Sequence, residues 1–462
     1  MKFALGSCRS AFPLLLFGIF CSLAPLLQAQ DPDKCANPCE TQAGQIQAGQ
    51  DQAPSKTERD QTERDQTESD QTKSGQTQGD QAQGDQAQGG QTKDNLQNGT
   101  ISVSILATEP RRVLRDLAQR GISFQTMLVN DWSKSLQRGT DSDQGYGRYS
   151  LDFSATLDGG KLVGVAGSTG FIRLKQHLSE FGGTYDGSAQ VYSNIDAPSR
   201  STLYEAWVEQ RLMSDKLRLR VGKIDATNDF ATVATAGDFL NSSMGYTPTI
   251  QGFPTYPEPK FGVNAFLRPL NGFGIGMGVF QTAGTGALTM LEPNHSWNLA
   301  QRELPGRLSV GYWRLDGTLL RFDGSRAANS QGLYSVLEQA VWRQSMANGS
   351  DSRRLSAFLQ LGYADGRLNP FTQHTGGGLV LQAPFAQRPQ DAVGVAATQV
   401  RFSGEPAAGF DQHTEMVFET YYKITVNRHM LLVQDFQFIH NPGGLHANAD
   451  CPVVTPRVVI SF

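Results

Sequence analysis

Arg148-Tyr149-Ser150-Leu151-Asp152-Phe153-Ser154-Ala155-Thr156-Leu157 is a run in which polar and apolar residues take alternate positions. Successive side chains of an extended chain point to opposite faces, so Tyr149, Leu151, Phe153, Ala155 and Leu157 share one face. Arg148, Ser150, Asp152, Ser154 and Thr156 share the other. Asp158-Gly159-Gly160 follows at once as a turn, and Lys161-Leu162-Val163-Gly164-Val165 is expected to open the return strand.

The period of two recurs along the chain, with tight turns on one side and long polar loops on the other. Tyr204-Glu205-Ala206-Trp207-Val208-Glu209-Gln210-Arg211 turns at Ser214-Asp215-Lys216 into Leu217-Arg218-Leu219-Arg220-Val221. Met416, Phe418, Tyr422 and Ile424 alternate with Glu415, Glu419, Tyr421 and Lys423, turn at Asn427-Arg428, and return with Leu432, Phe436 and Phe438 against Asp435 and Gln437. Val454, Pro456, Val458, Ile460 and Phe462 share a face of the last strand, with Arg457 opposite. Gly272-Phe273-Gly274-Ile275-Gly276-Met277-Gly278 has glycines spaced like a nucleotide loop, but it alternates strictly and no helix follows, so it reads as a strand with a glycine face. The helical period shows once, at residues 105–120, where Val113, Leu114, Leu117 and Ala118 lie among Arg111, Arg112, Arg115, Asp116 and Arg120 as a short amphipathic helix.

A soluble β-sandwich also alternates. Three features favour a membrane barrel: aromatic residues in the apolar register, arginine and glutamate on the opposite face of the same strands, and Phe462 closing a chain that opens with an export signal. In a bilayer every backbone group must be paired and no sheet edge can remain, which makes regular alternation obligatory. Residues 121–462 are therefore expected to fold as an all-β, transmembrane antiparallel β-barrel of about 16 strands of ~10 residues each. Hydrophobic residues make up 39% of the 462, and the mean hydropathy of -0.37 excludes a bundle of membrane helices while leaving a barrel open.

Met1 to Ala29 reads as a secretory signal, with Lys2 and Arg9 before an apolar stretch from Phe12 to Phe20; its short length, with Pro13 and Pro25, disfavours a membrane anchor. Residues 30–104 form a Gln-rich, low-complexity segment with a five-residue repeat, Asp60-Gln61-Thr62-Glu63-Arg64 and Asp65-Gln66-Thr67-Glu68-Ser69 among its copies. A period of five suits neither helix nor strand, and without apolar surface the segment is expected to be disordered, as a solvated spacer or a binding tail. Residues 31–100 hold 13 acidic and 6 basic side chains, whereas residues 101–462 hold 32 basic and 31 acidic. The folded part is thus close to neutral and lacks the basic excess that nucleic-acid binding needs. Beyond the signal, Cys35, Cys39 and Cys451 remain; Cys35 and Cys39 can bridge locally, but the sequence leaves their pairing open. Neither these thiols nor the seven histidines have ligand spacing, so no metal or cofactor is expected.

Several segments resemble the carbohydrate-selective porin family, the OprB type, of Gram-negative outer membranes. They are Leu203-Tyr204-Glu205-Ala206-Trp207-Val208-Glu209-Gln210, Leu217-Arg218-Leu219-Arg220-Val221-Gly222-Lys223-Ile224-Asp225, Phe239-Leu240-Asn241-Ser242-Ser243, Pro254-Thr255-Tyr256-Pro257, Phe261-Gly262-Val263 and Gln434-Asp435-Phe436-Gln437-Phe438-Ile439-His440-Asn441-Pro442-Gly443-Gly444. The resemblance implies a sixteen-stranded, water-filled barrel in the outer membrane through which mono- or oligosaccharides diffuse down their gradient, with loops folded inward. Sugars are neutral and present flat apolar faces, so a pore favouring them should offer planar hydrogen-bonding groups of both signs beside aromatic rings, with little net field.

On the register above, Glu205, Trp207, Glu209 and Arg211 share one face and Arg218 and Arg220 share the polar face of the next strand. Glu419, Lys423, Asp435, Gln437 and Arg457 also point inward. Each of these inward residues is a candidate sugar contact or simply part of a polar wall, and a one-residue slip would turn Trp207 to lipid. Phe230 to Pro259, with Phe239, Asn241, Tyr246, Phe253 and Tyr256, is too long and aromatic for a simple turn; it reads as an inward constriction loop, with an extracellular loop as the alternative. Further expected partners are outer-membrane lipid and the barrel-assembly machinery, engaged through the strand ending in Phe462. Whether chains trimerise stays open. The rival functions are a general or organic-acid diffusion channel and a barrel enzyme such as a phospholipase, which would need a serine and a histidine together on a lipid-facing strand.

Overall fold

A computed structural model describes residues 110–136, 145–179, 187–282, 286–299, 303–345 and 352–462. The signal, the Gln-rich repeats and the Cys35 and Cys39 pair lie outside these residues. Among them, helix α1 (Pro110–Gln119) precedes sixteen strands. The first eight are β1 (Ile122–Ser135), β2 (Tyr146–Asp158), β3 (Ser168–Ser179), β4 (Arg200–Leu212), β5 (Leu217–Ile224), β6 (Lys260–Leu270), β7 (Phe273–Gln281) and β8 (Ala287–Leu299). The rest are β9 (Leu304–Leu320), β10 (Arg326–Ser345), β11 (Ser352–Ala364), β12 (Phe371–Gln382), β13 (Ala392–Phe402), β14 (Thr414–Asn427), β15 (Met430–His440) and β16 (Cys451–Ser461). Each strand pairs with its neighbour in sequence, and β1 pairs antiparallel with β16, Met127 opposite Ser461, so the sheet is a closed barrel.

The alternation has the polarity that a lipid-facing wall requires. On β2, Asp152 is 5% exposed while the adjacent Phe153 is 44% exposed. On β14, Glu415, Val417 and Glu419 are buried and Phe418 is exposed. In a soluble sheet the apolar face would be covered and the charges would meet water; here the pattern is inverted, as a wall built for a hydrocarbon solvent requires. Exposed aromatics on that face include Trp132, Phe261, Trp342 and Phe436.

Tight connections such as residues 213–216, 271–272 and 428–429 lie at one rim, and long ones, including residues 225–259 and 441–450, at the other. The expected return strand after Asp158 is corrected by the structure. Gly159–Val163 forms a helical turn, α2, because the Asp158 side chain accepts the Lys161 N–H at 3.1 Å and Gly164 closes the turn in the left-handed region at φ 74°; β3 begins only at Ser168.

The hydrophobic core sits inside the barrel, between wall and loop. Phe230 and Ile250 of the 225–259 connection pack with Phe280, Met290 and Trp313 of the wall. Phe239, Leu240 and Met244 pack with Val336, Phe358 and Tyr421. Each large loop side chain buried in this way stabilises the inward position by about 1.5–3 kcal/mol. The glycine face of β7 makes room for it: a Cβ at Gly278 would lie 2.9 Å from the Phe230 ring, and one at Gly276 would lie 2.3 Å from Phe266.

Candidate functional site

Two groups of inward side chains stand on different parts of the wall. The first is built by cross-strand register. Glu209 lies opposite Arg220 and Arg211 opposite Arg218, Arg220 lies opposite Asn264 and Arg218 opposite Phe266, and Phe171 lies opposite Trp207. Glu209 accepts hydrogen bonds from Arg220 Nη2 at 2.6 Å and from Arg211 Nε at 3.1 Å. Asp229, at the start of the inward loop, accepts from Arg218 at 2.6 Å, Arg220 at 2.8 Å and Asn264 at 2.8 Å. Arg220 is thus clamped between two carboxylates.

Rings complete this group. The Arg220 guanidinium lies 4.1 Å from the Trp207 ring centroid, and Arg218 lies 4.3 Å from that of Phe266. Trp207 stacks on Phe171 with centroids 5.0 Å apart and donates from Nε1 to Glu205 at 3.3 Å. Glu205 also accepts from Asn228 at 3.2 Å and faces Arg173 at 3.3 Å. A bulge opposite Arg173 and Leu174 brings both Tyr204 and Glu205 inside, after which the register carries Trp207, Glu209 and Arg211 to the lumen as expected. Gly222 lets β5 approach β4 closely at the Trp207 step: its φ is +140°, and a Cβ there would meet the Ala206 carbonyl at 2.2 Å.

The second group is covered. Glu419 accepts the Leu240 N–H at 2.5 Å and the Asn241 N–H at 3.2 Å. The Asn241 side chain donates to Gln437 at 3.2 Å, and Gln437 donates to the Tyr192 carbonyl at 2.8 Å and to Asp435 at 2.9 Å. Arg457 donates to both carboxylate oxygens of Asp131 at 2.7 Å and to Asn194 at 2.8 Å. Glu419 is 3% exposed and Gln437 0%. The sequence register placed Glu419, Asp435, Gln437 and Arg457 inward, and in the structure Glu419, Gln437 and Arg457 bond to the loops that lie over them rather than face an open surface, with Asp435 buried beside Gln437.

Those loops are held by a common device. Backbone N–H groups far from any sheet need acceptors, and carboxylates on the wall supply them. Ala231 donates to Glu292 at 2.8 Å, Thr235 to Glu338 at 2.6 Å, and Ala189 and Gln190 to Glu415 at 2.7 Å each. Gln360 donates to the Ser243 carbonyl at 2.6 Å. The 225–259 connection therefore touches β8, β10, β11 and β14 from inside. The described part of the β3–β4 connection, residues 187–199, joins it through Asn194 N–H to the Leu240 carbonyl at 2.8 Å.

Within the loop, Phe239 meets Tyr421 edge-on at 4.8 Å, and Tyr246 packs on Phe253 at 5.5 Å. Burial, with the Asp225 charge nearby, pushes the Tyr246 phenol up to about 12. Tyr256 stands apart, donating to the Ile195 carbonyl at 2.9 Å beside the His177 ring. Sequence reasoning missed Asp131, Asp229, Ser193, Asn194, Glu292 and Glu338. The strand members among these were readable from the period, but Asp229, Ser193 and Asn194 sit in irregular loops that carry no periodic signal. Cys451 is buried, with its sulfur 3.0 Å from the Ser135 hydroxyl oxygen.

A closed sixteen-stranded barrel with an exposed apolar outer face and loops folded into a charged lumen defines an outer-membrane diffusion channel. The model of the carbohydrate-selective porin, OprB family, matches residues 147–462, and the chain belongs to that family. It is accordingly a carbohydrate-selective porin of the outer membrane, a channel in fold and family. The chain is similar to Porin B of Pseudomonas aeruginosa, 22% identical over 391 residues that cover 71% of this chain and 85% of that protein. Among solved structures it is similar to Pseudomonas putida OprB at high pH, with a TM-score of 0.68 and 17% identity over 77% of this chain and 97% of that one. The low-pH form of the same protein gives a TM-score of 0.52 at 18% identity, covering 77% of this chain and 98% of that one.

Proposed function

We propose that sugars are selected at the partly open group formed by Trp207, Phe171, Arg173, Arg218 and Arg220, with Arg211 at its exposed rim outside the sugar contact, and that the 225–259 loop narrows the passage beside the group. The observation that carries this reading is the clamping of Arg220 between Glu209 and Asp229 on the face of Trp207. Paired charges offer planar donors and acceptors in fixed positions while cancelling one another's field, which suits a neutral polyol. The rings of Trp207 and Phe171 supply an apolar surface for the C–H faces of a pyranose. Glu205 and Glu209 act chiefly by orienting the guanidinium groups. Phe239 against Tyr421 and Tyr246 against Phe253 stiffen the loop, Asn241 fixes its middle to the wall through Gln437, and Tyr256 ties its far end to the β3–β4 connection through the Ile195 carbonyl.

The apolar outer face meets lipid in this reading, and β16 engages the assembly machinery. Residues 1–29 direct export, and residues 30–104 act as a solvated spacer. Liposome swelling tests the central point. Faster swelling in glucose or maltose than in charged solutes of equal size is the expected result; absence of swelling in every solute would remove the channel reading.

A further inference from the structure

Most cations that face the lumen have a carboxylate within reach. Arg218 and Arg220 have Asp229, Arg307 has Glu338 at 3.8 Å, and Lys423 has Asp238 at 2.5 Å. Arg354, on β11, differs. Among the described residues it has no carboxylate at ion-pair distance, and it is half-buried. Its neighbour on β10 is Arg343, whose charge is already paired with Glu303, and its neighbour on β12 is the neutral Gln382. The local balance is one uncompensated positive charge.

This charge opens onto a cavity of about 360 Å³ between the 225–259 loop and the wall, lined by Thr235, Asp238, Ser356 and Gln382 together with Arg354. The volume lies in the range of small-ligand pockets, about 300–1,000 Å³. A half-buried guanidinium that lines a cavity and has no carboxylate partner takes an anionic oxygen in preference to a neutral one. Asp238 in the same cavity is paired with Lys423, which leaves Arg354 as a single positive charge for the occupant to match with a single negative one. The hydroxyls of Thr235 and Ser356 and the amide of Gln382 offer partners to a polyol ring.

We propose that this cavity is a subsite for monoanionic sugar acids, hexuronates or aldonates, with the carboxylate held by Arg354 and ring hydroxyls by Ser356 and Gln382. The proposal rests on the sugar-channel reading above and adds a second substrate class at a different part of the wall from Trp207. It implies that the channel binds a sugar and its acid at separate places.

The test measures block of single-channel current by sodium glucuronate and by glucose, in the parent protein and in Arg354→Gln and Gln382→Glu. Gln382→Glu keeps the arginine and supplies it with a carboxylate, so it probes the free charge even if Arg354→Gln folds poorly. Both variants are expected to weaken glucuronate block by about tenfold or more, the loss of one charge-assisted hydrogen bond, with glucose block unchanged. Glucuronate block that is unchanged in both variants, or that falls in step with glucose block, overturns the subsite. Glucose 6-phosphate blocking as well as glucuronate overturns the restriction to a single negative charge. Loss of glucose block in the parent protein would instead remove the sugar-selection reading, while the response of glucuronate to Arg354 would still decide the subsite.

Discussion

The β4–β5 wall and the β14–β16 wall carry the same kinds of residue and put them to different uses. Glu209, Arg218 and Arg220 on the first, and Glu419, Asp435 and Arg457 on the second, all point inward from alternating strands. On the first wall the charges pair with one another and with Asp229, leaving Arg218 and Trp207 partly open to the lumen. On the second, Glu419 spends its oxygens on backbone N–H groups of Leu240 and Asn241, and loops close over it. Direction relative to the wall is set by the period of two. Availability to a solute is set by whether a loop covers the site, which the strand pattern does not encode.

The strongest way to break this contrast is Glu419→Ala. Removing the carboxylate orphans two buried N–H groups at about 1–3 kcal/mol each and frees the centre of the loop. Single-channel conductance is expected to rise together with a fall in thermal stability. Glu209→Ala is expected to alter glucose block with a much smaller change in conductance, since no loop backbone depends on Glu209. Equal conductance increases in the two variants would show that the walls do not differ in this way. Next in size is Arg220→Lys. A lysine keeps the charge but loses the fork that bridges Glu209 and Asp229 while lying flat on Trp207. Glucose block is expected to weaken about tenfold, a loss of roughly 1.4 kcal/mol that corresponds to one charge-assisted bond. Block as strong as in the parent protein would move the sugar contact away from this clamp.

The barrel was legible because Leu151, Phe153, Phe418 and Phe436 repeat the same outward register on strands far apart in sequence, and a closed bilayer wall permits no other phase. The inward positions of Trp207, Glu209, Arg211, Arg218 and Arg220 followed from that register without further information. Their grouping did not. It depends on strand pairing, and on Asp229 arriving from a loop whose path is fixed by the glycine face of β7 and by carboxylates on β8, β10 and β14. Asp158-Gly159-Gly160 was misread for a related reason: an aspartate before two glycines suits a hairpin turn and a helix N-cap equally, and the Lys161 N–H decided for the cap.

Smaller effects sharpen the contrast within the open wall itself. Trp207→Leu keeps an apolar side chain but removes the ring that carries Arg220 and stacks on Phe171. Aromatic stacking and cation–π contacts are worth about 0.5–1.5 kcal/mol, so glucose block is expected to weaken severalfold, less than in Arg220→Lys. A larger loss than that of Arg220→Lys would make the ring, not the guanidinium, the main contact.

Arg211→Gln should do least. Its side chain is 54% exposed and its only described carboxylate partner is Glu209, which Arg220 already engages more closely. An exposed pair of this kind contributes about 0–1 kcal/mol, because water screens the charges and the long side chain loses rotamer freedom when it is held. Glutamine keeps a donor near Glu209, so stability and glucose block are both expected to stay within about 0.5 kcal/mol of the parent protein. The informative outcome is a large one. If Arg211→Gln weakened glucose block as much as Arg220→Lys, the solute would be held at the exposed rim at Arg211, and the selective step would lie at the tight-turn mouth beside the β4–β5 connection, outside the Trp207 surface.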